Sequence, residues 1–341
     1  MKAYLEKLTC HQHLTSDEMK EAITYCLTEQ ATDAEIAALL TALKAKGETA
    51  EEIAGIVDAI RCQSTFQTSP IPNALDNCGT GGDRSGSFNI STTSAFVIAG
   101  AGIPVAKHGN RSITSKAGSA DVLEALGISL YFSKEQVEEL LYENNIAFLF
   151  APHVHEALKS FSRVRKFLGI PTVFNVIGPL TNPISLDYQL LGVYRKDLMP
   201  ILADTLQKLG RKRAVVVHGA GSMDEATLSG ENHLLFIDNG QQTSITIRPE
   251  DVDLPYYSKE EIVGGSSREN ADILVQVLKG KKGAYYNTVL LNAGLGIFTS
   301  GKASTLLEGI ELARESIESG KAYERLHYLI KYSQKQRKEV I

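Results

Sequence analysis

The 341-residue chain has no tryptophan and only four cysteines. Cys10, Cys26, Cys62 and Cys78 all fall in the first quarter and never at C-x-x-C spacing, so neither a disulfide framework nor a zinc site is indicated. No apolar run approaches the roughly 18 residues of a membrane-spanning helix. The opening residues Met1-Lys2-Ala3-Tyr4-Leu5-Glu6-Lys7 lack the apolar stretch of a signal peptide and read as an amphipathic helix, which makes the cytoplasm the expected location. Basic residues are in deficit. The chain has 35 Lys plus Arg against 40 Asp plus Glu, a net charge of −5, which argues against general nucleic-acid binding. With 43% hydrophobic and 22% charged residues, the chain is long enough for a large core and two domains.

The first stretch reads as helical. Thr15-Ser16-Asp17-Glu18, Thr32-Asp33-Ala34-Glu35 and Thr49-Ala50-Glu51-Glu52 are helix-start signals, and Ile53, Ile56, Val57 and Ile60 share one face of the third helix. This predicts a small helical domain over 1–66. Pro70 and Pro72 then interrupt helix and sheet alike, so 67–73 reads as a linker. Over 74–341 short apolar runs alternate with amphipathic ones. Strands are expected at 103–106, 128–132, 146–150, 214–218 and 234–237, and helices at 119–126 and 134–143. That alternation predicts an α/β domain with a mostly parallel central sheet, whose ligands bind beyond the carboxyl ends of the strands.

Three constellations fit that position. Cys78-Gly79-Thr80-Gly81-Gly82-Asp83 runs through Ser87 into Asn89-Ile90-Ser91-Thr92 at a helix start. Glycines let the backbone approach an anion, and a helix N-terminus favours negative charge. The spacing does not match the dinucleotide fingerprint, because position 84 is Arg. Ser91 and Thr92 are placed to cap the helix and to contact phosphate or a metal. Lys107-His108-Gly109-Asn110-Arg111-Ser112, with Ser115 and Ser119, forms a basic polar loop suited to a phosphorylated sugar. Asp224-Glu225 ends a glycine-containing loop, and a magnesium ion takes such carboxylates together with substrate phosphates. Upstream of the latter lies an Arg163, Arg165, Lys166 cluster in which an arginine fork could grip a carboxylate. The P-loop-like run from Gly296 to Lys302 lacks the Ser/Thr that holds magnesium, since position 303 is Ala. Cys78 has no base paired with it in sequence and reads as a small semi-buried residue.

Taken in order, these stretches and Gly178-Pro179-Leu180-Thr181-Asn182-Pro183 resemble the anthranilate phosphoribosyltransferase family over nearly the whole chain. The resemblance implies a small α domain, rejoined by the stretch around 160–182, beside a larger α/β domain, and a homodimer formed through the helical domains. It implies transfer of a phosphoribosyl group from phosphoribosyl diphosphate to anthranilate in tryptophan biosynthesis. The diphosphate substrate would be lined by Gly79, Gly82, Asp83, Ser87, Asn89, Ile90, Ser91, Thr92, Lys107, His108, Gly109, Asn110, Arg111, Ser112, Ser115 and Ser119. Anthranilate would meet Gly79, Asn110 and Arg165, with His108 close by. Mg2+ would be held by Ser91, Asp224 and Glu225. No covalent nucleophile is implied, and His108, Asn110 and Arg165 position the substrates. The alternatives left at this point are a non-catalytic nucleic-acid-binding relative and a pyrimidine nucleoside phosphorylase, whose second loop follows a different lysine–serine–arginine pattern.

Overall fold

Four helices open the chain: α1 (Lys2–Thr9), α2 (Ser16–Cys26), α3 (Asp33–Lys46) and α4 (Ala50–Cys62). Thr15, Thr32 and Thr49 cap the last three as the sequence predicts, each paired reciprocally with a Glu three residues on. Glu52 also ties the bundle together. Fully buried, it accepts from Leu14 N at 3.0 Å and pairs with Lys46 Nζ at 2.8 Å. The computed structural model describes residues 1–66, 68–112 and 116–339, so Gln67 of the linker and Ser115 lie outside the described residues.

Beyond the linker come β1 (Leu75–Gly79), α5 (Ile90–Gly100), β2 (Val105–Gly109), α6 (Ser119–Ala125), α7 (Lys134–Asn144), β3 (Ile146–Phe150), α8 (Ala151–Val154) and α9 (Lys159–Leu168). They are followed by β4 (Tyr188–Gly192), α10 (Met199–Lys208), β5 (Arg213–His218), β6 (Asn232–Asp238) and β7 (Gln241–Ile247). The helices α11 (Ser267–Leu278), α12 (Ala284–Thr299), α13 (Leu306–Glu318) and α14 (Lys321–Glu339) finish the chain. The strands form one sheet ordered β3-β2-β1-β4-β5-β6-β7. β3, β2, β1, β4 and β5 are parallel, and β6 and β7 add an antiparallel edge.

Side-chain alternation divides the core. On β5, Val215 and Val217 face the large cluster built on α5, α12, α13 and α14, whereas Ala214 and Val216 face the cluster of α2, α3, α4 and α10. Phe161 and Val164 of α9 join the second cluster, and Arg163 pairs with Asp33 of α3 at 2.6 Å. The sheet is therefore covered on both faces, as its parallel part requires.

Three expectations need correction. The run 128–132 is not a strand. Ile128, Leu130 and Phe132 are buried alternately, but the backbone has no ladder partner: Ser129 N donates to Ser333 Oγ at 3.1 Å and Tyr131 N to Ser129 Oγ at 3.2 Å. Alternation here records burial against α14, not sheet pairing. The strand expected at 103–106 instead runs Val105–Gly109, because pairing with β3 continues through Lys107, His108 and Gly109. Those residues are strand, not loop. Finally, Ser91 and Thr92 lie inside the first turn of α5, and the N-cap is Asn89. The run from Gly296 to Lys302 closes α12, so its glycines serve a helix and its exit.

Candidate active site

The glycine-rich loop, the start of α5 and the acid pair meet at the carboxyl ends of β1 and β4. Gly81 N donates to Asp224 Oδ2 at 2.6 Å, and Ser91 N donates to Glu225 Oε1 at 3.2 Å. The approach depends on missing side chains. A Cβ on Gly79 would stand 2.3 Å from Asp224 Oδ2, and one on Gly192 would stand 1.6 Å from the Asp224 carbonyl oxygen. A Cβ on Gly219 would likewise meet the Glu225 carbonyl oxygen at 2.0 Å. Gly81 (φ +70°) and Gly82 (φ +87°) supply the left-handed turns of the loop.

The electrostatics invite a cation. Burial, then the nearby Asp83 carboxylate, pushes the Asp224 carboxyl above the usual range. Burial, then Asp224, does the same to Glu225, although solvent still reaches part of that side chain. Asp83 Oδ1 accepts from Ser85 N at 3.1 Å, and the Asp83 carboxyl lies against that of Asp224. An oxygen-only donor set crowded with negative charge suits a hard divalent ion such as magnesium.

β2 stands beside this cradle. Lys107 Nζ donates to Asn77 O at 2.9 Å, and Asn77 Nδ2 donates to Ser91 O at 2.8 Å, so a buried lysine is tied to the α5 start. His108 N donates to Asp76 Oδ1 at 3.3 Å, and Asn182 Nδ2 bridges Asp76 Oδ2 (3.0 Å) and Ala106 O (2.7 Å). Burial pushes the Asp76 carboxyl up to about 6 against the pull of Lys107. Burial also drives His108 down to about 3, and its Nε2 has no hydrogen-bond partner among the described residues. Its ring lies edge-on to His155, 5.4 Å away, which burial lowers to about 4.

The remaining predicted residues divide into two groups. Gly109 packs closely, since a Cβ there would stand 2.3 Å from Ser119 Oγ. Ser119 Oγ donates to Asn110 O at 3.2 Å, and Ser112 N donates to Asp121 Oδ2 at 3.1 Å, so this loop folds back on α6. Arg111 turns away from the cradle. Its guanidinium bonds Glu124 (2.6 Å) and Asp121 (2.9 Å), which in that order hold it above its usual range, and it lies over Phe150. Ser87 forms a bridge with Val263, and Ile90 and Thr92 are buried. Arg165 lies over the Phe174 ring, 5.5 Å from its centre, with one hydrogen bond to Asn175 Oδ1 at 3.3 Å; burial alone lowers its pKa. Its neighbours lead through Asn175 to the 178–182 turn, and Gly178 there approaches His108.

Sequence reasoning missed Asp76, Asn77, Asn182, His155, Gly192 and Asn270 as neighbours of the site. Asp76 and Asn77 lie in the buried strand β1 that leads into the glycine loop, and their polarity leaves no apolar run to single them out.

Comparison with known proteins agrees with this architecture. Residues 2–64 match the glycosyl transferase family helical bundle domain, and residues 71–323 match the glycosyl transferase family a/b domain. An anthranilate phosphoribosyltransferase of Oceanobacillus iheyensis is 54% identical over 335 residues, covering 98% of each chain. One from Bacillus cereus is 51% identical over 340 residues and 100% of both. The crystal structure of anthranilate phosphoribosyltransferase from Thermus thermophilus superposes with a TM-score of 0.90 at 39% identity, covering 97% of this chain and 99% of that one. The Saccharomyces cerevisiae enzyme in complex with PRPP and Mg gives 0.88 at 31% identity, covering 98% of each. By sequence over its whole length and by fold, the chain belongs to the anthranilate phosphoribosyltransferase family of glycosyl transferases.

Proposed function

We propose that this chain transfers the phosphoribosyl group of phosphoribosyl diphosphate to the amine of anthranilate, releasing diphosphate, in tryptophan biosynthesis. The observation that carries the reading is the convergence of Gly81 N and Ser91 N on Asp224 and Glu225 at the sheet's carboxyl edge. The full-length relatives favour this transfer over nucleic-acid binding or nucleoside phosphorolysis.

The diphosphate lies on the glycine loop and the α5 start, where backbone N–H groups and the helix dipole attract it. Asp224, Glu225 and Ser91 would hold Mg2+, with the Asp83 carboxylate close beside Asp224. When bound, the ion neutralises charge on the departing diphosphate. Gly79, Gly82, Ser87, Asn89, Lys107, Asn110, Ser115 and Ser119 shape the sugar-phosphate site; Arg111 joins them only by leaving Asp121 and Glu124.

The bond from ribosyl C1 to the diphosphate oxygen breaks, and the anthranilate nitrogen bonds C1 from the opposite face. The amine loses one proton, which passes to the departing diphosphate or to solvent water. Arg165 pairs with the anthranilate carboxylate and, with Gly79 and Asn110, holds the nitrogen in line. His108 is too weak a base in its buried setting to keep that proton and acts by shape and position.

The same reading divides the chain into a helical unit of 1–66 with 160–182 and an α/β unit of 74–341, dimerises through the helical unit, and places the protein in the cytoplasm. No helix among the described residues is long and apolar enough to cross a membrane. The test is anthranilate fluorescence with phosphoribosyl diphosphate and magnesium. Chelator-sensitive loss of signal matched by diphosphate release supports the reading, and a folded protein that leaves anthranilate unchanged refutes it.

A further inference from the structure

Asn89 occupies the N-cap of α5, a position where an asparagine side chain ordinarily accepts from the helix's own amides. Here it makes no such bond. Its Nδ2 donates to Ala117 O at 3.2 Å, at the foot of α6, and its Oδ1 accepts from Asn270 Nδ2 at 2.8 Å. Asn270 is 2% exposed, sits on α11 and is itself fixed, because its Oδ1 accepts from Gly265 N at 2.8 Å. The two amides lie 181 residues apart in the chain.

The segment leading into α11 grips the same loop through its backbone. Gly264 N donates to Gly86 O at 2.8 Å, and Phe88 N donates to Ile262 O at 3.1 Å. A Cβ on Gly264 would stand 2.7 Å from Asn270 Oδ1 and 2.8 Å from Phe88 Cα, so only glycine allows the approach. Tyr285 completes the grip, donating its hydroxyl to Val263 O at 2.8 Å while its ring meets Phe88 edge-on.

We infer that Asn270 is a positioning residue for the diphosphate site: Ile90 N and Ser91 N already donate to Phe88 O and Glu225 Oε1, and Asn270 holds the Asn89 side chain off α5 so that the third amide of the helix, Thr92 N, faces the anion instead of its own cap. The inference rests on the function proposed above. Without Asn270, the Asn89 amide swings back to cap α5, and the diphosphate must displace it before binding.

A double-mutant cycle on the full chain tests this, with phosphoribosyl diphosphate and magnesium titrated by calorimetry. Asn270→Ala is expected to weaken that binding about tenfold, the scale of one well-placed buried hydrogen bond. Asn89→Ala has no side chain to swing back, so adding Asn270→Ala to it should cost little more. In turnover, Asn270→Ala should raise the KM for phosphoribosyl diphosphate and leave that for anthranilate unchanged. Asn270→Leu fills the same space without a donor and should reproduce the weakened binding if the alanine variant folds poorly. Full additivity of the two alanine changes, or a lower melting temperature with unchanged binding in both Asn270 variants, overturns the inference. Absence of transfer by the wild type would count against the parent reading alone, since the calorimetric cycle does not depend on turnover.

Discussion

α5 and α9 are two helices of similar length that the proposed function assigns to opposite halves of the site. Helix α5 is buried almost all round, and its first turn is fixed by Glu225, Asn77 and the grip on Asn89. Helix α9 is basic and amphipathic, with Phe161 and Val164 inside, Phe167 largely in solvent and Arg165 held by one 3.3 Å bond and one ring face. On that proposal the diphosphate half is set before substrate arrives, whereas the acceptor half depends on a side chain with freedom left to lose. Preorganised charge stabilisation should therefore dominate turnover, and the α9 side should govern acceptor affinity.

The strongest way to break this contrast is to neutralise the fixed half. Asp224→Asn with Glu225→Gln should lower kcat at least about a hundredfold and weaken magnesium activation, with little change in the KM for anthranilate. Magnesium titration of initial rates decides it, and unchanged metal dependence would remove the pair from the metal site. A steric change probes the same half. Gly192→Ala drives a Cβ into the Asp224 carbonyl and should cost about 2–3 kcal/mol of stability by urea unfolding, together with magnesium affinity. Gly81→Ala meets open space and should cost about 1 kcal/mol, from its positive φ alone.

On the looser half, Arg165→Ala should raise the KM for anthranilate about tenfold while leaving that for phosphoribosyl diphosphate alone. Parallel rises in both constants would mean that α9 shapes the whole cleft and that the contrast between halves is false. Arg165→Lys separates fork from charge. A lysine keeps the charge without the paired donors and should recover only part of the loss.

These variants also mark how much of the molecule is legible in its residues alone. The three threonine caps were legible because capping is local, and so was the strand at 146–150, an unbroken apolar run. β1, β4 and β7 were not. β1 carries Asp76 and Asn77, whose hydrogen-bond partners are Asn182, Lys107 and Ser91 of α5, none of them near in sequence. β7 is an exposed edge strand of Gln, Thr and Ser residues with little apolar pattern to betray it. Within the site, the glycine loop and acid pair could be named from composition and order, whereas the room made by Gly192 and the grip of Asn270 are long-range facts. The apolar alternation at 128–132 misled for the converse reason: burial against a helix leaves the same trace as burial in a sheet.

The smallest effect expected at working pH concerns the histidines between the halves. Burial lowers His155 to about 4 in the folded protein, against about 6.5 when unfolded. Between those values the unfolded chain binds the extra proton, so this residue contributes stability above pH 6.5 that is lost as pH falls toward 4. Its share is about 2 kcal/mol between pH 7 and pH 5. Asp76 acts in the opposite sense, because its raised folded value makes the native state bind more protons over the same range. The His155 contribution must therefore be read as a difference. Urea unfolding of wild type and His155→Leu at pH 7 and pH 5 should show the variant losing less stability on acidification. Equal losses would mean that the ring accepts its proton without unfolding, and that the boundary between the two halves is wetter than its burial indicates.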